Sequence, residues 1–191
     1  MLPAHLLYRV CSCFAVSGII TAFIYCMLSI ILYKTFEDYM QDTELNHLTF
    51  ILLTFEGVGE LIGGFIMIFS SPKIKDPALI FIFTSVLFMV SMLIVFMGSF
   101  YTNKYVIGVG VILTGISDCS CAILSMSLAG QWKERGISAF NIVQCLTTAF
   151  TIALITFLPL YAACIWMGCV FIFNIVSIHF YRSQAVKNKE I

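Results

Sequence analysis

The chain has 191 residues, of which 61% are hydrophobic and only 10% are charged. Soluble domains carry about 25% charged residues, so this composition excludes an ordinary soluble globular protein. Ten basic and ten acidic residues balance to a formal net charge of zero, and no Lys/Arg tract marks a nucleic-acid-binding surface. We therefore predict an all-α polytopic membrane protein that is surrounded by membrane lipid and has no nucleic-acid partner.

Six apolar runs are long enough to cross a membrane, for which a helix needs about 20 residues. We place six transmembrane helices at about 10–33, 48–70, 78–100, 105–128, 139–158 and 161–180. All four prolines fall in the predicted tail and loops, so proline interrupts none of the spans. Because the predicted tails are short, residues 1–191 are predicted to form a single six-helix transmembrane domain.

The basic residues are distributed unequally between the two predicted sides of the membrane. Eight lie on the side that holds both termini, and only Lys34 and Lys104 lie on the other. Lys and Arg are enriched in cytoplasmic loops, so both termini should face the cytoplasm or its topological equivalent. Sidedness does not identify the membrane: an organellar one, including the mitochondrial inner membrane, fits as well as the plasma membrane. On the opposite side, the acidic segment 34–47 is predicted to be a solvated connector or, alternatively, a vestibule that attracts cations.

Three acidic residues lie inside the predicted spans, where an ionisable group is costly and rarely faces lipid. Glu56 and Glu60 are four residues apart and share one face of the second span, and Asp118 lies near the middle of the fourth. No Lys, Arg or His lies at mid-depth in any span, so these acids are neutral, bind a cation, or pair with another subunit. At least one of the two neighbouring glutamates should be protonated unless a cation is present. Hydrogen bonding to neighbouring helices is the alternative, purely structural interpretation.

Small and polar residues within the spans indicate contacts between helices. Glycine lets two membrane helices approach closely, and amide side chains form hydrogen bonds between them. The glycines that we assign to helix packing are Gly57, Gly59, Gly63, Gly64 and Gly115. The amide residues that we expect to bond between helices, rather than to contact a ligand, are Asn141, Gln144 and Asn174.

No catalytic constellation is visible in the sequence. It has no Ser/His/Asp set, no zinc-protease motif and no Cys/His spacing typical of a metal site. The eight cysteines lie in apolar runs, where we expect them to be buried packing residues. The two GVG segments lie within apolar spans rather than at a strand–helix turn, which argues against nucleotide binding. We therefore expect no enzymatic activity, no cofactor and no metal centre.

The segment GVGELIGG (57–64), followed by the basic loop SPKIKD, resembles the eighth span and following loop of the major facilitator superfamily. The resemblance is to its Unc-ninety-three-like, ion-channel-regulatory-protein branch, in which glycine, glycine-glutamate and paired glycines follow one another. The segment GISDCSCAILSMSLAG (115–130) is similar to the glycine-aspartate span of that branch, and ISAFNIVQCLTTAF is similar to its next span.

The resemblance extends over essentially the whole chain, whose six spans match spans seven to twelve of the family. It implies one helical half of a twelve-span fold, which a second, pseudo-twofold-related half normally completes. The usual central cavity would then not form from one chain. The chain also departs from the branch, which tends to carry an Asn-Thr-Gln run after the aspartate. The corresponding residues here are Ala122, Ile123 and Leu124, and none of them coordinates a solute.

Two main functional hypotheses follow from these observations. The first is a non-catalytic accessory, scaffold or regulatory subunit of a larger membrane complex, which the missing half and the lost polar run favour. The second is a half-size solute or cation transporter that works as a homodimer or with a separate N-terminal half, which the three acids favour. A third possibility is a fragment of a full-length facilitator. The expected partners are therefore membrane lipid together with other membrane subunits or a second half-bundle.

Overall fold

The computed structural model describes residues 4–70, 77–130, 133–157 and 160–187, and nearly all of them are helical. A π-helical turn, Phe23–Met27, joins the first two helices. The seven α-helices are α1 (Ala4–Ala22), α2 (Leu28–Phe36), α3 (Asp42–Ser70), α4 (Pro77–Phe100), α5 (Lys104–Gly130), α6 (Lys133–Phe157) and α7 (Leu160–Lys187). No strand occurs in the described ranges. The chain is thus an all-α polytopic membrane protein, as the composition predicted.

Within the described residues, five helical segments are long and apolar enough to cross a membrane. They are Cys13–Phe36, Asp42–Phe69, Ile80–Phe100, Lys104–Ser127 and Glu134–Phe157. The first of them combines α1, the π-helical turn and α2 into one span. The sixth predicted span lies in α7, whose shorter apolar part is Cys164–Val176. The helices match the predicted runs and extend beyond them at several ends, because polar residues at a membrane surface can remain helical.

The helices extend furthest beyond the prediction in the acidic segment 34–47. The sequence predicts a connector over the whole segment, but both of its ends are helical. α2 continues to Phe36 and α3 begins at Asp42, so only residues 37–41 lie between the two helices. The Glu44 carboxylate accepts a hydrogen bond from the Gln41 backbone N–H at 3.4 Å, which is half of a capping box. Acidic side chains also stabilise the first turn of a helix through its dipole. Two of the four acids of this segment, Asp42 and Glu44, therefore belong to the start of α3.

The contacts within the fold group into two compact units. The first comprises Met1–Ile19, Asp76–Ser85 and Cys121–Ile191, and the second comprises Ile20–Lys75 and Val86–Ser120. In the first unit, α1 packs along α6: the rings of Phe14 and Phe140 meet edge to face at 5.0 Å. Further along, by one turn on α1 and two turns on α6, the Thr148 hydroxyl donates to the Gly18 carbonyl at 3.0 Å. Because the contacts advance in the same direction on both helices, α1 and α6 are parallel here.

In the second unit, α4 and α5 form an antiparallel pair. A Cβ atom built on Gly98 would lie 2.7 Å from the backbone nitrogen of Ile107, so this glycine permits the close approach. Two turns away, the hydroxyls of Ser91 and Thr114 are hydrogen-bonded at 3.0 Å. The contact moves back along α4 as it moves forward along α5. This direction is the one expected for consecutive membrane spans joined by a short turn.

The turn between α4 and α5 contains a residue in the left-handed conformation. Thr102 has a φ of 51° and is the one non-glycine residue with positive φ in the described part of the chain. The N–H of Asn103 donates to the Gly98 carbonyl at 2.8 Å, and the N–H of Thr102 donates to the Ser99 carbonyl at 3.0 Å. This pair of bonds is a Schellman motif, in which the left-handed position is usually glycine.

Two changes in this turn are expected to shift stability in opposite directions. Asn103 caps α5, since its Oδ1 accepts from the backbone N–H of Tyr105 at 3.0 Å and of Val106 at 3.3 Å. Thr102→Gly should stabilise the chain by about 1 kcal/mol, because glycine removes the steric strain of a β-branched side chain in the left-handed conformation. Asn103→Ala should destabilise it by about 1 kcal/mol by removing the cap. Unfolding midpoints in one detergent test this, and two shifts of the same sign would contradict the assigned turn.

Candidate functional site

α3 and α5 approach each other so closely that their contact leaves no room for side chains at two positions on α3. A Cβ atom built on Gly59 would collide with the backbone oxygen of Ile112. One built on Gly63 would lie 2.8 Å from the backbone oxygen of Ile116, which is closer than real Cβ contacts. The contact advances in the same direction along both helices, so α3 and α5 are parallel. Glycines four residues apart thus provide a flat surface for α5, as small residues do in membrane bundles.

The other predicted packing glycines behave differently from one another. Gly115 provides the flat surface on α5, because a Cβ atom there would collide with the backbone oxygen of Glu56. Gly64 makes an ordinary contact, with its built Cβ 3.6 Å from the Cys119 sulfur. A Cβ atom built on Gly57 meets no described heavy atom within 4 Å, so the packing role predicted for Gly57 is not seen. Two residues turn an α-helix by about 200°, which places Gly57 on the opposite side of α3 from Gly59.

This helix contact brings the three intramembrane acids together. Glu56 and Glu60 of α3 and Asp118 of α5 each place one carboxylate oxygen within 4.8 Å of the other two. Glu60 lies close enough to both Glu56 and Asp118 for its carboxyl group to share a proton with either. A hydrogen bond between two carboxyl groups requires a proton on one of them. We call Glu56, Glu60 and Asp118 the acid cluster.

The surroundings of the acid cluster supply no opposite charge among the described residues. The charged groups that act on Glu56 and Asp118 are the other acids of the cluster, and both side chains are half-buried. Ser117 and Ser120 lie beside Asp118 in the sequence, but their hydroxyls donate to Leu113 O at 3.0 Å and Ile116 O at 2.9 Å. These serine protons are therefore used within α5. The arrangement can share protons, accept a cation among carboxylate oxygens, or receive a cationic group from another chain.

Two of the three predicted interhelical amides join helices of the first unit. The Gln144 side-chain nitrogen of α6 donates to the Ser17 hydroxyl of α1 at 3.4 Å. Asn174 of α7 is fully buried, and its Oδ1 accepts from the Ser85 hydroxyl of α4 at 3.3 Å. Its Nδ2 also contacts the Cys13 sulfur of α1 at 3.5 Å. Asn174 is therefore a buried polar link from α7 to two other helices, as predicted for an interhelical amide.

Asn141 departs from that prediction, because its side chain is exposed on α6 and forms no interhelical bond in the described part of the chain.

The contrast between buried Asn174 and exposed Asn141 gives a matched pair of variants. Asn174→Leu should destabilise the chain by about 1–2 kcal/mol, because the buried Ser85 hydroxyl loses its acceptor. Asn141→Leu should change stability by less than about 0.5 kcal/mol. Unfolding in the same detergent compares them, and a larger loss from Asn141→Leu would contradict the assigned roles.

A surface pocket opens where α3 and α5 begin, and part of its lining belongs to the acidic segment 34–47, for which the sequence predicts a solvated connector or a cation-attracting vestibule. The sequence does contain a signal for the early start of α3. Leu45, Leu48 and Leu52 are spaced three and four residues apart, as on one face of a helix, and all three are buried. This periodicity begins within the acidic segment, ahead of the uninterrupted apolar run.

Comparison with known proteins gives no match: no protein-family model, curated protein or solved structure is significantly similar to the chain. The resemblance to the major facilitator superfamily therefore rests on the sequence motifs alone and stays a prediction. Function is inferred from the acid cluster and its place in the fold.

Proposed function

We propose that the chain is a non-catalytic accessory or scaffold subunit of a larger membrane complex, in which another membrane protein covers α3. The observation that carries this proposal is the exposure of the helix that holds two of the three acids. In the apolar 18-residue stretch of the α3 span 22% of the residues are buried, whereas 67% are buried in the corresponding stretch of the first span. α3 is thus a largely exposed helix with carboxyl groups near its middle.

This exposure is unfavourable for such a helix if lipid alone surrounds it. An ionised carboxylate at the centre of a membrane helix costs about 2.5–3.5 kcal/mol even on insertion scales, and more by other estimates. The side chains exposed on α3 between the acids and its end are apolar, including Val58, Leu61 and Phe65. This surface suits a second membrane helix that packs on the apolar residues. A donor or cationic side chain on that helix would satisfy the acid cluster.

The sequence resemblance supports the same role. The branch that it indicates includes regulatory membrane proteins, and the polar run that would line a solute path is replaced here by Ala122, Ile123 and Leu124. Leu124 is buried, so at this position the chain has an apolar packing residue. Without polar residues along a solute path, a transport cavity is not expected. The exposed helical surface can still bind another subunit.

Site-specific photocrosslinking in native membranes tests this proposal. Leu61 of α3 and Phe83 of α4 are equally exposed, at 66% each, so they form a matched pair for a photoreactive amino acid. The probe at position 61 should form a discrete adduct with one other membrane protein, and Glu60→Gln should reduce its yield. The probe at position 83 should form no such adduct. Identical patterns from both positions, or only lipid adducts at position 61, would overturn the proposed partner surface.

The geometry of the acid cluster favours a second candidate function, a half-size cation or proton-coupled transporter. Three carboxylate oxygens within 4.8 Å of one another can share protons or surround a cation. Such a protein would work as a homodimer or with a separate N-terminal half. Cation-dependent uptake into proteoliposomes that Glu60→Gln abolishes would favour this candidate. Uptake that continues unchanged in Glu60→Gln would exclude Glu60 from coupling.

A further inference from the structure

A second site lies in the same unit as the acid cluster, at the surface end of the two parallel helices. A pocket of about 510 Å³ opens where α3 and α5 begin. We call it the surface pocket, and its lining residues are Met40, Thr43, Glu44, His47, Leu48, Ile51 and Lys104. It shares no residue with the acid cluster, and its proposed role is independent of the accessory-subunit proposal.

The depth of the surface pocket follows from helix geometry. If Glu56, at the middle of α3, lies near the bilayer centre, then Glu44 lies about 18 Å above it at a rise of 1.5 Å per residue. The hydrocarbon core extends only about 15 Å from the centre. Glu44 is therefore at the depth of the lipid headgroups, whereas Leu48 and Ile51 lie at the depth of the upper acyl chains. The pocket crosses the boundary between the two regions.

The lining of the surface pocket changes in polarity with depth. Its outer part carries Thr43, Glu44 and Lys104, all of them exposed, and its inner part is formed by Leu48 and Ile51. The Lys104 ammonium lies 5.6 Å from the centre of the Tyr105 ring, which helps to hold it in place. No ion pair joins Glu44 to Lys104 in the described part of the chain. One anionic and one cationic group thus face the same space without neutralising each other.

We propose that the surface pocket binds a phosphatidylethanolamine lipid, with its phosphate at Lys104, its ammonium at Glu44 and an acyl chain along Ile51. Lysine is a common phosphate ligand, and a carboxylate accepts hydrogen bonds from a primary ammonium. A choline headgroup has no N–H donor and is usually held by an aromatic cage. The lining residues include no Phe, Tyr or Trp. An anionic lipid would meet Lys104 but would also face the Glu44 carboxylate.

Lipid retention by the full chain, measured by native mass spectrometry from mild detergent, tests the proposal. The chain is mixed with equal amounts of phosphatidylethanolamine, phosphatidylcholine and phosphatidylglycerol of the same acyl composition. We expect roughly tenfold preference for phosphatidylethanolamine, the effect of one charge-assisted hydrogen bond. This comparison needs no variant. Equal retention of the three lipids, or a preference for phosphatidylglycerol, would overturn the assignment.

Two variants separate the roles of the charged residues, and both change exposed side chains. Lys104→Ala should reduce retention of phosphatidylethanolamine and phosphatidylcholine alike, because both carry the phosphate. Glu44→Gln should remove the preference between these two lipids. Lys34→Ala is the matched control, since Lys34 is an exposed lysine outside the lining and should leave retention unchanged. Unchanged retention in Lys104→Ala, or an unchanged preference for phosphatidylethanolamine over phosphatidylcholine in Glu44→Gln, would contradict the proposal.

Discussion

Gly59→Leu is expected to lower the free energy of unfolding by about 3 kcal/mol, near the upper end of the usual cost of overpacking. The Cβ atom alone would collide with the backbone oxygen of Ile112, and backbone cannot move aside as a flexible side chain can. α3 and α5 would have to separate, and Asp118 would then move away from Glu56. The loss should therefore appear both as lower stability and as disruption of the acid cluster.

Gly57→Leu is the matched control on the same helix. A Cβ atom at Gly57 meets no described heavy atom within 4 Å, so its side chain has open space. We expect a change of less than about 0.5 kcal/mol, as for most surface substitutions. Unfolding of both variants in the same mixed micelles gives the comparison. Equal losses at positions 57 and 59 would mean that α3 does not present Gly59 to α5.

Replacing the acid cluster with amides is expected to separate stability from assembly. The combined variant Glu56→Gln, Glu60→Gln, Asp118→Asn should stabilise the isolated chain by about 2 kcal/mol, because it removes half-buried acids that lack an opposite charge. The same variant should retain its membrane partner roughly tenfold less well, as expected when a charge-assisted contact is lost.

The two effects are measured separately, by unfolding of the isolated chain in detergent and by quantitative co-purification of the partner from native membranes. Glu37→Gln with Asp38→Asn is the control, since both acids are exposed and lie between α2 and α3. The control should change neither stability nor partner retention. If the cluster variant is less stable than the wild type and retains its partner fully, the acids have a structural role within the chain.

The sequence predicts the helices well because the length of an apolar run is directly related to membrane thickness. It misplaces their ends where charged residues remain helical at the membrane surface, as at the start of α3. Asp42 and Glu44 suggest a loop by their charge, although Leu45, Leu48 and Leu52 already follow a helical period. Periodicity is the better indicator here, since these leucines are buried.

The candidate site is only partly predictable from the sequence. The spacing of Glu56 and Glu60 places both on one face of α3, and this follows from helix geometry alone. Their meeting with Asp118 depends on which helices are neighbours, and no local pattern specifies that. Likewise, the glycine motif indicates a close contact but does not distinguish Gly59, which faces α5, from Gly57, which does not. The surface pocket requires the first turns of two helices that are distant in sequence.

The most direct test of the proposed role is the composition of the particle that contains this chain after extraction from its native membrane in mild detergent. Mass determination together with electron microscopy identifies the protein that lies against α3. We expect a hetero-assembly in which a different membrane protein covers Glu56 and Glu60 and no water-filled cavity reaches Glu60. A homodimer of twelve spans that encloses a polar cavity around the acid cluster would contradict the accessory role and support transport.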